Sequence, residues 1–285
     1  MRFTACITTM NRPQELDVCL GALWNSSVQP YSVIVSDNST EPEVQQKNHH
    51  IVNQYPDTIY LDGSHTGVSS NRNNAFSAVT PETDLVAFLC DDICVNPDFF
   101  ARAVDRYTDM SPEEKNCTII SGVSTDGVKD AVDGPLGFSF RGYFYHSDVA
   151  QVAHLPAAVF PRSFFEKEPW DENIFIGQED AELCLRALKR GYRILYCPEL
   201  RVLDICPNSG SLPKLEIGGL KEYKIYSEAS RLYIGIKRYR YITPNVFKLW
   251  GFISVYFVHM TFYLLKRGSL SAFPEILRRS NIQKL

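Results

Sequence analysis

The sequence predicts an α/β fold built on a doubly wound, mostly parallel sheet. Strand-like and helix-like patterns alternate over the first 125 residues with short connections between them, and this alternation is typical of such sheets. The run LVAFL within residues 84–93 is apolar throughout, as expected of a central parallel strand that is covered on both faces. Polar clusters follow three of the predicted strands, and one crevice at the carboxyl ends of those strands could collect all three.

The predicted elements of the first half follow one another in a regular order. RFTACITT at residues 2–9 predicts the first strand, and Asn11 can cap a helix that has Pro13 in its first turn. The remaining elements are a strand over 31–40, a helix over 42–54, the short strand TIYLDG, a helix entered from a loop over 67–79, the strand within 84–93 and a helix over 96–107. Most strands are thus followed by a helix, as crossovers between parallel strands require.

The second half of the sequence is less regular. Residues 137–175 are rich in aromatic side chains and predict two or three strands in a mixed part of the sheet. Residues 179–191 predict a helix, because acidic side chains occupy its first turn, basic ones its last, and Gly191 ends it. A strand pair over 192–204 and a helix over 221–240 are expected to follow.

These patterns divide the chain into a main domain and a C-terminal extension. We expect the main domain over residues 1–210, with halves at 1–125 and 126–210, and a helical extension over 211–285. The second half of the main domain contributes the mixed part of the sheet. No internal repeat interrupts this plan.

One segment of the extension, residues 249–265 (LWGFISVYFVHMTFYLL), is almost uninterruptedly apolar and aromatic. Basic residues flank it, among them Lys248, Lys266 and Arg267. The segment is short for a membrane-spanning helix, which needs about 20 residues. Spanning a membrane, lying against a membrane surface and packing on the main domain all stay open, and the aromatic residues with flanking cations favour the surface interpretation.

Composition excludes some classes of partner and indicates a compartment. The net charge of −4 argues against nucleic acid as the main partner, because phosphate backbones are bound by basic surfaces. None of the eight cysteines forms a CxxC pair, and the start MRFTACITT lacks the layout of a signal peptide. We therefore expect a protein of the reducing cytoplasm.

Two adjacent carboxylates, Asp91 and Asp92, end the predicted central strand. Such a pair repels itself unless positive charge lies nearby, and hard divalent cations such as Mg²⁺ or Mn²⁺ prefer carboxylate oxygens and bridge to phosphates. The simpler alternative is that one carboxylate caps the next turn while the other is solvated. Spacing alone does not decide between the two.

Five segments, in order, resemble the motifs of glycosyltransferase family 2, the GT-A nucleotide-sugar transferases, in their rhamnosyltransferase-like form. The resemblance runs over about residues 3–205 and is carried by ITTMNRP, VIVSDNST, GVSSNRNNAF, FLCDDI and GQEDAELCLRALKRGYRILYCPELRV. It implies a GT-A type sheet whose second half faces the acceptor. It also implies transfer of a sugar from a nucleotide diphosphate-sugar to a hydroxyl of a glycan or lipid-linked glycan, with inversion at the anomeric carbon.

The resemblance also implies roles for single residues at matching positions. Donor-binding residues would be Thr8, Thr9 and Asp37 around the base and ribose, Arg72 on the base or phosphates, and Asp91 on the ribose hydroxyls. Asp92 would hold a Mn²⁺ or Mg²⁺ ion, with Asp204 standing where the family often has a histidine ligand. The sequence departs from the family at Cys90, where an acidic residue is common, and this departure weakens the support for metal binding.

The proposed catalytic base is Asp180, by its position in the family's acidic helix motif. A carboxylate in the first turn of a helix is stabilised as an anion by the helix dipole and can accept the proton of an acceptor hydroxyl. Glu179 and Glu182 are local alternatives for this role.

Two other functions are weighed against the transferase. A nucleotide- or sugar-binding protein of the same fold without turnover would explain CDD as a degraded metal site. A nucleotidyltransferase would need a glycine-rich loop after the first strand, which TTMNRPQEL lacks. If the apolar segment contacts lipid, the enzyme would be peripheral on the inner face of the membrane.

Overall fold

An eight-stranded mixed sheet lies at the centre of the computed structural model, which describes residues 1–128, 134–206 and 215–285. The strands are β1 (Phe3–Thr9), β2 (Ser32–Asp37), β3 (Thr58–Asp62), β4 (Leu85–Cys90), β5 (Ile93–Val95), β6 (Thr118–Thr125), β7 (Leu136–Phe138), β8 (Phe144–His146), β9 (Ala158–Pro161), β10 (Arg193–Asp204), β11 (Glu216–Ile217) and β12 (Leu220–Lys221). The helices are α1 (Pro13–Trp24), α2 (Pro42–Val52), α3 (Val68–Phe76), α4 (Phe99–Thr108), α5 (Pro112–Cys117), α6 (Arg162–Phe165), α7 (Glu179–Lys189), α8 (Glu222–Lys237), α9 (Val246–Arg267) and α10 (Phe273–Arg279).

The strand order of the central sheet is β3-β2-β1-β4-β9-β6-β10-β5. The first four strands are parallel to one another. Strand β9 is antiparallel to both β4 and β6, and β5 is antiparallel to β10. The prediction of a doubly wound, mostly parallel sheet with a mixed second half is therefore confirmed.

Strand β4 shows why its sequence is apolar without interruption. Val86 and Phe88 point into one hydrophobic core, which contains Trp170 and residues of α7. Leu85, Ala87 and Leu89 point into a second core beneath α1 and α4. Since successive side chains of a strand point to opposite faces, a strand that is covered on both faces needs apolar residues at every position.

Two predicted local features are wrong. Helix α1 begins at Pro13 with Arg12 at the capping position and no side-chain cap, while Asn11 adopts a left-handed φ of 60°. Residues 192–204 form one long strand rather than a pair, and its register against β6 shifts between Tyr196 and Arg201. Pro198 lies within this shift. Because proline lacks the backbone N–H that a regular strand ladder uses, it accounts for the break in register.

The C-terminal helices pack directly on the main domain. The hydroxyl of Ser230 in α8 donates to the carbonyl of Ile176 at 2.9 Å, and Tyr233 donates to Asp171 at 2.8 Å. A third hydrophobic core lies among α8, α9 and α10. The predicted boundary at residue 210 lies outside the described residues, so the division into two domains stays a prediction, but side-chain hydrogen bonds connect the two parts.

Candidate active site

A cleft of about 480 Å³ opens at the carboxyl ends of β1 and β4. These strands are parallel neighbours, with Thr8 opposite Cys90, so the residues that follow them lie close together. Residues from both strand ends, from the starts of α3 and α7 and from α8 line the cleft; among them are Thr8, Thr9, Arg12, Asn38, Arg72, Cys90, Asp91, Asp92, Gln178, Glu179, Asp180, Tyr223 and Ser227. The cleft thus brings together six of the eight predicted site residues, all except Asp37 and Asp204.

The acidic pair at the end of β4 is held by two neighbours. The hydroxyl of Thr9 donates to Asp91 Oδ2 at 2.7 Å. The guanidinium of Arg12 donates to Asp92 Oδ2 at 2.6 Å and to Asp91 Oδ1 at 3.3 Å. Burial raises the pKa of Asp91 to about 6, although the hydrogen bond from Thr9 opposes this shift. The positive charge beside the two carboxylates is therefore the guanidinium of Arg12, a group of the protein itself.

Arg12 is the functional residue that the sequence reasoning missed. The signal was present, because a basic residue follows the first predicted strand in ITTMNRP. In a parallel sheet, a residue just beyond β1 lies beside the residues just beyond β4. The pairing of Arg12 with Asp92 follows from this rule once β1 and β4 are known to be neighbours, and that adjacency comes from the structure.

The two predicted metal ligands differ in their surroundings. Asp92 lines the cleft, whereas Asp204, at the end of β10, accepts a hydrogen bond from the backbone of Cys206 at 2.9 Å. Burial raises the pKa of Asp204, and the negative charge of Asp92 raises it further. The two carboxylates are therefore close enough to repel each other. Their oxygen atoms are the donors that Mg²⁺ and Mn²⁺ prefer, but the guanidinium of Arg12 lies on Asp92.

No group of three or more metal-binding side chains is present across residues 1–128, 134–206 and 215–285. Cys90 lines the cleft, and burial raises the pKa of its thiol to about 12. A thiol that stays protonated at neutral pH is a poor ligand, because metals bind the thiolate. The carboxylate oxygens of Asp92 and Asp204 are the right type of donor for a hard cation. Two side chains do not fill its coordination shell, so a bound diphosphate would have to supply further oxygens, and Arg12 would have to leave Asp92.

Asp37 lies at the end of β2 but does not line the cleft. Its carboxylate is buried and accepts hydrogen bonds from the Ser39 amide at 2.8 Å, the Asn48 side chain at 2.9 Å and the Tyr60 hydroxyl at 2.9 Å. The neighbouring Asn38 contributes to the cleft wall instead. A contact between Asp37 and a nucleobase stays a prediction, and it would require some of these hydrogen bonds to be exchanged.

Arg72 is buried and connects α3 to the start of α7. Its guanidinium donates to Glu179 Oε1 at 2.8 Å and lies over the ring of Trp170 at 4.6 Å. The other oxygen of Glu179 accepts from the backbone N–H of Gly177 at 2.7 Å. Glu179 is therefore already paired through both oxygens, and Arg72 reaches the cleft with its charge partly neutralised.

The three acidic residues at the start of α7 have different surroundings. Glu182 is buried and forms ion pairs with Arg186 and Lys237, and Glu179 pairs with Arg72. Within the described parts of the chain, Asp180 forms no salt bridge; one of its oxygens accepts from the Ala181 amide at 2.8 Å. Of the three, Asp180 is the carboxylate that faces the cleft without a cation on it.

The environment of Asp180 suits a base near neutral pH. Burial, and next to it the charge of Glu179, raise its pKa from 3.8 to about 7. The start of α7 contributes a positive dipole end that opposes this rise, but burial is the larger effect. Carboxylates with a raised pKa in a cleft are typical of acid–base catalysts.

The side of the cleft away from β1 is formed partly by α8. Tyr223 and Ser227 of this helix line the cleft together with Phe144. Gln178 has a left-handed backbone with φ of 63°, and its amide nitrogen donates to the carbonyl of Gly142 at 3.0 Å. Among the residues that the structure describes, its buried Oε1 has no hydrogen-bond partner. An acceptor atom left unpaired at the cleft wall suits a ligand hydroxyl, since buried polar atoms are nearly always paired.

A family model described as Glycosyl transferase family 2 matches residues 4–167. The match includes both strand ends that line the cleft and stops before α7. No curated protein sequence matches the chain.

Several solved structures are similar in fold. A mannosyltransferase from Pyrobaculum calidifontis, PcManGT in complex with GDP-Man and Mn²⁺, is 16% identical with a TM-score of 0.59, over 100% of this chain and 81% of its own. GalNAc-T7 with UDP, GalNAc and Mn²⁺ is 13% identical with a TM-score of 0.62, over 90% and 55%. TarS from S. aureus is 14% identical with a TM-score of 0.56, over 84% and 39%.

The chain therefore spans well under half the length of the TarS chain and about half that of GalNAc-T7. At these identities the similarity establishes the fold. The GT-A type architecture expected from the sequence is confirmed, including the C-terminal helices, which the match to the whole chain covers.

Proposed function

Because the chain belongs to glycosyl transferase family 2, we propose that it transfers a sugar from a nucleotide diphosphate-sugar to a hydroxyl group of a glycan acceptor. One observation carries the proposal: Asp180, a carboxylate with a raised pKa and no salt bridge to the described residues, shares a cleft with Asp91 and Asp92 and with the guanidinium of Arg12 that pairs with them. The complexes of PcManGT with GDP-Man and of GalNAc-T7 with UDP support a donor of this class.

The donor is held along the strand ends. Thr8 and Thr9 face the base and ribose, and Asp91, which Thr9 orients by a 2.7 Å hydrogen bond, binds ribose hydroxyls. The diphosphate lies beside Arg12, whose guanidinium can form paired hydrogen bonds with phosphate oxygens. Asp37 and Arg72 complete the donor site in this proposal, Arg72 while it also pairs with Glu179.

A divalent cation, Mn²⁺ or Mg²⁺, would be held by Asp92 and Asp204. When bound, it would neutralise charge on the leaving diphosphate. Two similar structures contain Mn²⁺, and the oxygen donors present here suit the same ion. Binding of the cation requires Arg12 to leave Asp92, and the arriving diphosphate offers Arg12 a new partner.

Asp180 serves as the base in a single displacement. Its carboxylate accepts the proton of the acceptor hydroxyl while that oxygen forms a bond to the anomeric carbon of the donor sugar. The bond between the anomeric carbon and the diphosphate breaks on the opposite side, and the nucleoside diphosphate leaves with the bonding electrons. This geometry inverts the anomeric configuration.

The acceptor we propose is a growing glycan, carried on a lipid, with its reacting sugar between Asp180 and the wall formed by Tyr223, Ser227 and Gln178. The unpaired Oε1 of Gln178 would accept a hydrogen bond from a sugar hydroxyl. The protein would act in the cytoplasm, peripherally on the inner face of the membrane.

The test is a transfer and hydrolysis assay over a panel of nucleotide-sugars, with and without Mn²⁺, using the wild-type chain, Asp180→Asn and Asp92→Asn. We expect turnover with one donor in the wild type and a loss of about 10²–10⁴-fold in Asp180→Asn. Asp105→Asn, an exposed carboxylate on α4, is the matched control and should retain activity. Equal turnover in Asp180→Asn would refute the assignment of the base.

The same panel tests the alternative of a binding protein without turnover. Nucleotide-sugars would then raise the melting temperature, since ligands that bind the native state stabilise it, but no donor would be consumed with any acceptor. That result would replace the transferase proposal.

A further inference from the structure

Helix α9 exposes an apolar face to solvent along its whole length. Its 22 residues include no aspartate or glutamate. One stripe is buried: Phe252, Tyr256, Met260 and Leu264. On the opposite side, a second stripe is exposed and consists of Phe247, Trp250, Val255, Val258, Phe262 and Leu265. We call this second set the exposed stripe.

The exposed stripe is large and runs the length of the helix, with two exposed hydroxyl residues, Ser254 and Thr261, on the same side. Its members recur every three to five residues, so they lie along one side of the helix, over roughly 27 Å at 1.5 Å per residue. Phe247 is 86% exposed, Phe262 69% and Trp250 63%. Soluble monomers seldom leave an apolar surface of this kind facing water, and such patches mark contact sites for protein or membrane.

Positive charge lies at both ends of the exposed stripe. Lys248 is exposed at the start of α9, and Lys266 and Arg267 are exposed at its end. Arg267 lies over the ring of Tyr263 at 4.9 Å, and Lys224 of α8 lies near the same ring at 5.8 Å. Cations and aromatic rings at the edge of an apolar surface are typical of helices that lie in the membrane interface.

The contacts of the buried stripe favour a helix that lies flat on a membrane over one that spans it. The Tyr256 hydroxyl donates to the carbonyl of Glu228 in α8 at 2.9 Å, and Phe252 packs where Gly235 leaves room on α8. By length and composition alone α9 could cross a membrane, and 22% of its most apolar window is buried within the protein. The contacts with α8 keep one side of α9 on the protein, so its free side is the one that can contact lipid.

The charges also distinguish a bilayer from a second copy of this chain. Two copies pairing through the exposed stripe would bring Lys248 of one against Lys248 or Lys266 of the other, whether the helices ran parallel or antiparallel. Like charges would meet in either case. Anionic lipid headgroups complement the same cations, and basic residues next to an apolar helix face are attracted to such surfaces.

We propose that α9 docks on the surface of a bilayer that contains anionic lipids. The exposed stripe inserts among the acyl chains next to the headgroups, and Lys248, Lys266 and Arg267 contact lipid phosphates. The proposal goes beyond the transfer reaction and does not depend on it, because docking needs neither donor nor acceptor.

The test is co-sedimentation of the full chain with vesicles of phosphatidylcholine alone or with added phosphatidylglycerol, without donor or acceptor. We expect binding to the anionic vesicles that weakens with salt, since screening reduces the attraction. Phe262→Glu should bind at least about tenfold more weakly, because it removes an inserted apolar side chain and adds a negative charge at an anionic surface. Val128→Glu, which changes a residue that is 93% exposed elsewhere, should bind like the wild type.

Tryptophan fluorescence provides a second readout. Trp250 is exposed, whereas Trp170 is buried, so insertion should shift the emission to the blue in the wild type and not in Trp250→Phe. Failure of the wild type to bind anionic vesicles, or equal binding by Phe262→Glu, would overturn the proposal. So would a dimer in sedimentation velocity that Phe262→Glu dissociates, because a second copy would then cover the stripe. None of these outcomes bears on turnover of the donor in solution.

Discussion

At the scale of single residues, the carboxylate of Asp180, the proposed base, lies in an unfavourable location for a charge. Its pKa rises from 3.8 to about 7 because it is buried and lies next to Glu179. The folded state therefore binds its proton more tightly than the unfolded chain does. Stability falls as pH rises from about 4 to about 7, and the full penalty is present above that window.

The first prediction concerns Asp180→Asn. The substitution should lower turnover by about 10²–10⁴-fold yet raise the melting temperature. The gain in melting temperature should be larger at about pH 8 than at about pH 4.5, where wild-type Asp180 is protonated. Thermal unfolding at the two pH values measures this, with Asp105→Asn as the reference. In the wild type, kcat/KM should rise with pH through about 7, since the base must be deprotonated. A stability gain that is the same at both pH values would contradict the raised pKa.

The second prediction concerns Arg12, which lies on both Asp91 and Asp92. Arg12→Gln should weaken binding of the nucleoside diphosphate about tenfold or more, because a charge-assisted hydrogen bond is lost, and leave binding of the nucleoside unchanged. It should also tighten binding of Mn²⁺ alone, since the carboxylates lose their internal cation. Calorimetry measures all three affinities.

A matched control for Arg12 is Arg102→Gln, which removes an arginine from an exposed ion pair with Asp98 and should change none of the three affinities. Unchanged diphosphate binding in Arg12→Gln would contradict the role given to Arg12.

Residue types at the site could be read from the sequence, but their pairing could not. Three acids in GQEDAEL look equivalent until the partners of Glu179 and Glu182 are known. Arg186 pairs with Glu182 from the next turn, but Arg72 and Lys237 lie far away in the sequence. Asp37 illustrates the same limit, because Asn48 and Tyr60 reach its carboxylate from other elements.

At the scale of elements, the close crossing of α8 and α9 depends on a glycine, Gly235, at the point where the two helices meet. A Cβ added at Gly235 would lie 2.0 Å from the ring of Phe252. The third prediction is that Gly235→Ala destabilises the fold by about 1–3 kcal/mol, because overpacking forces the helices apart. Gly251→Ala in α9, whose added Cβ would meet only Phe140 at 3.5 Å, should be neutral or stabilising by up to about 1 kcal/mol.

Denaturant unfolding compares the two variants. Equal stability of Gly235→Ala and Gly251→Ala would contradict the close crossing, because both substitutions gain the same helix propensity and differ only in what the new methyl group meets.

The order and type of most elements follow from patterns among residues close together in the sequence, so both could be predicted. The pairing between distant strands could not be predicted in this way. Strand β9 lies antiparallel between β4 and β6, and its four residues, AVFP, carry no sign of their neighbours. The strand pair predicted over 192–204 is a single strand, with Pro198 inside its register shift against β6.

At the scale of the whole molecule, the C-terminal helices are part of the folded core. Removal of α9 and α10 would expose the third core and the buried ion pair between Glu228 and Arg231. The fourth prediction is that a chain ending at residue 245 melts at a much lower temperature than Phe262→Glu, which changes only an exposed residue. Thermal unfolding tests this. A truncated chain as stable as the wild type would show that α9 is a dispensable anchor.

Sequence hydropathy identified the apolar segment but left its role open, because hydropathy does not reveal which side of a helix packs. The structure separates the two sides: Met260 and Leu264 face the protein, and Phe262 and Leu265 face away. That separation required the position of α8, which is set by contacts with Ile176 and Asp171 in the main domain.

Helix α8 stands between the cleft and α9, with Tyr223 and Ser227 on one side and the carbonyl of Glu228 bonded to Tyr256 on the other. If α9 rests on a bilayer, α8 separates the cleft from the lipid surface by about the width of one helix, roughly 10 Å. A lipid-linked acceptor would then need to present its reacting hydroxyl at about that distance from the surface.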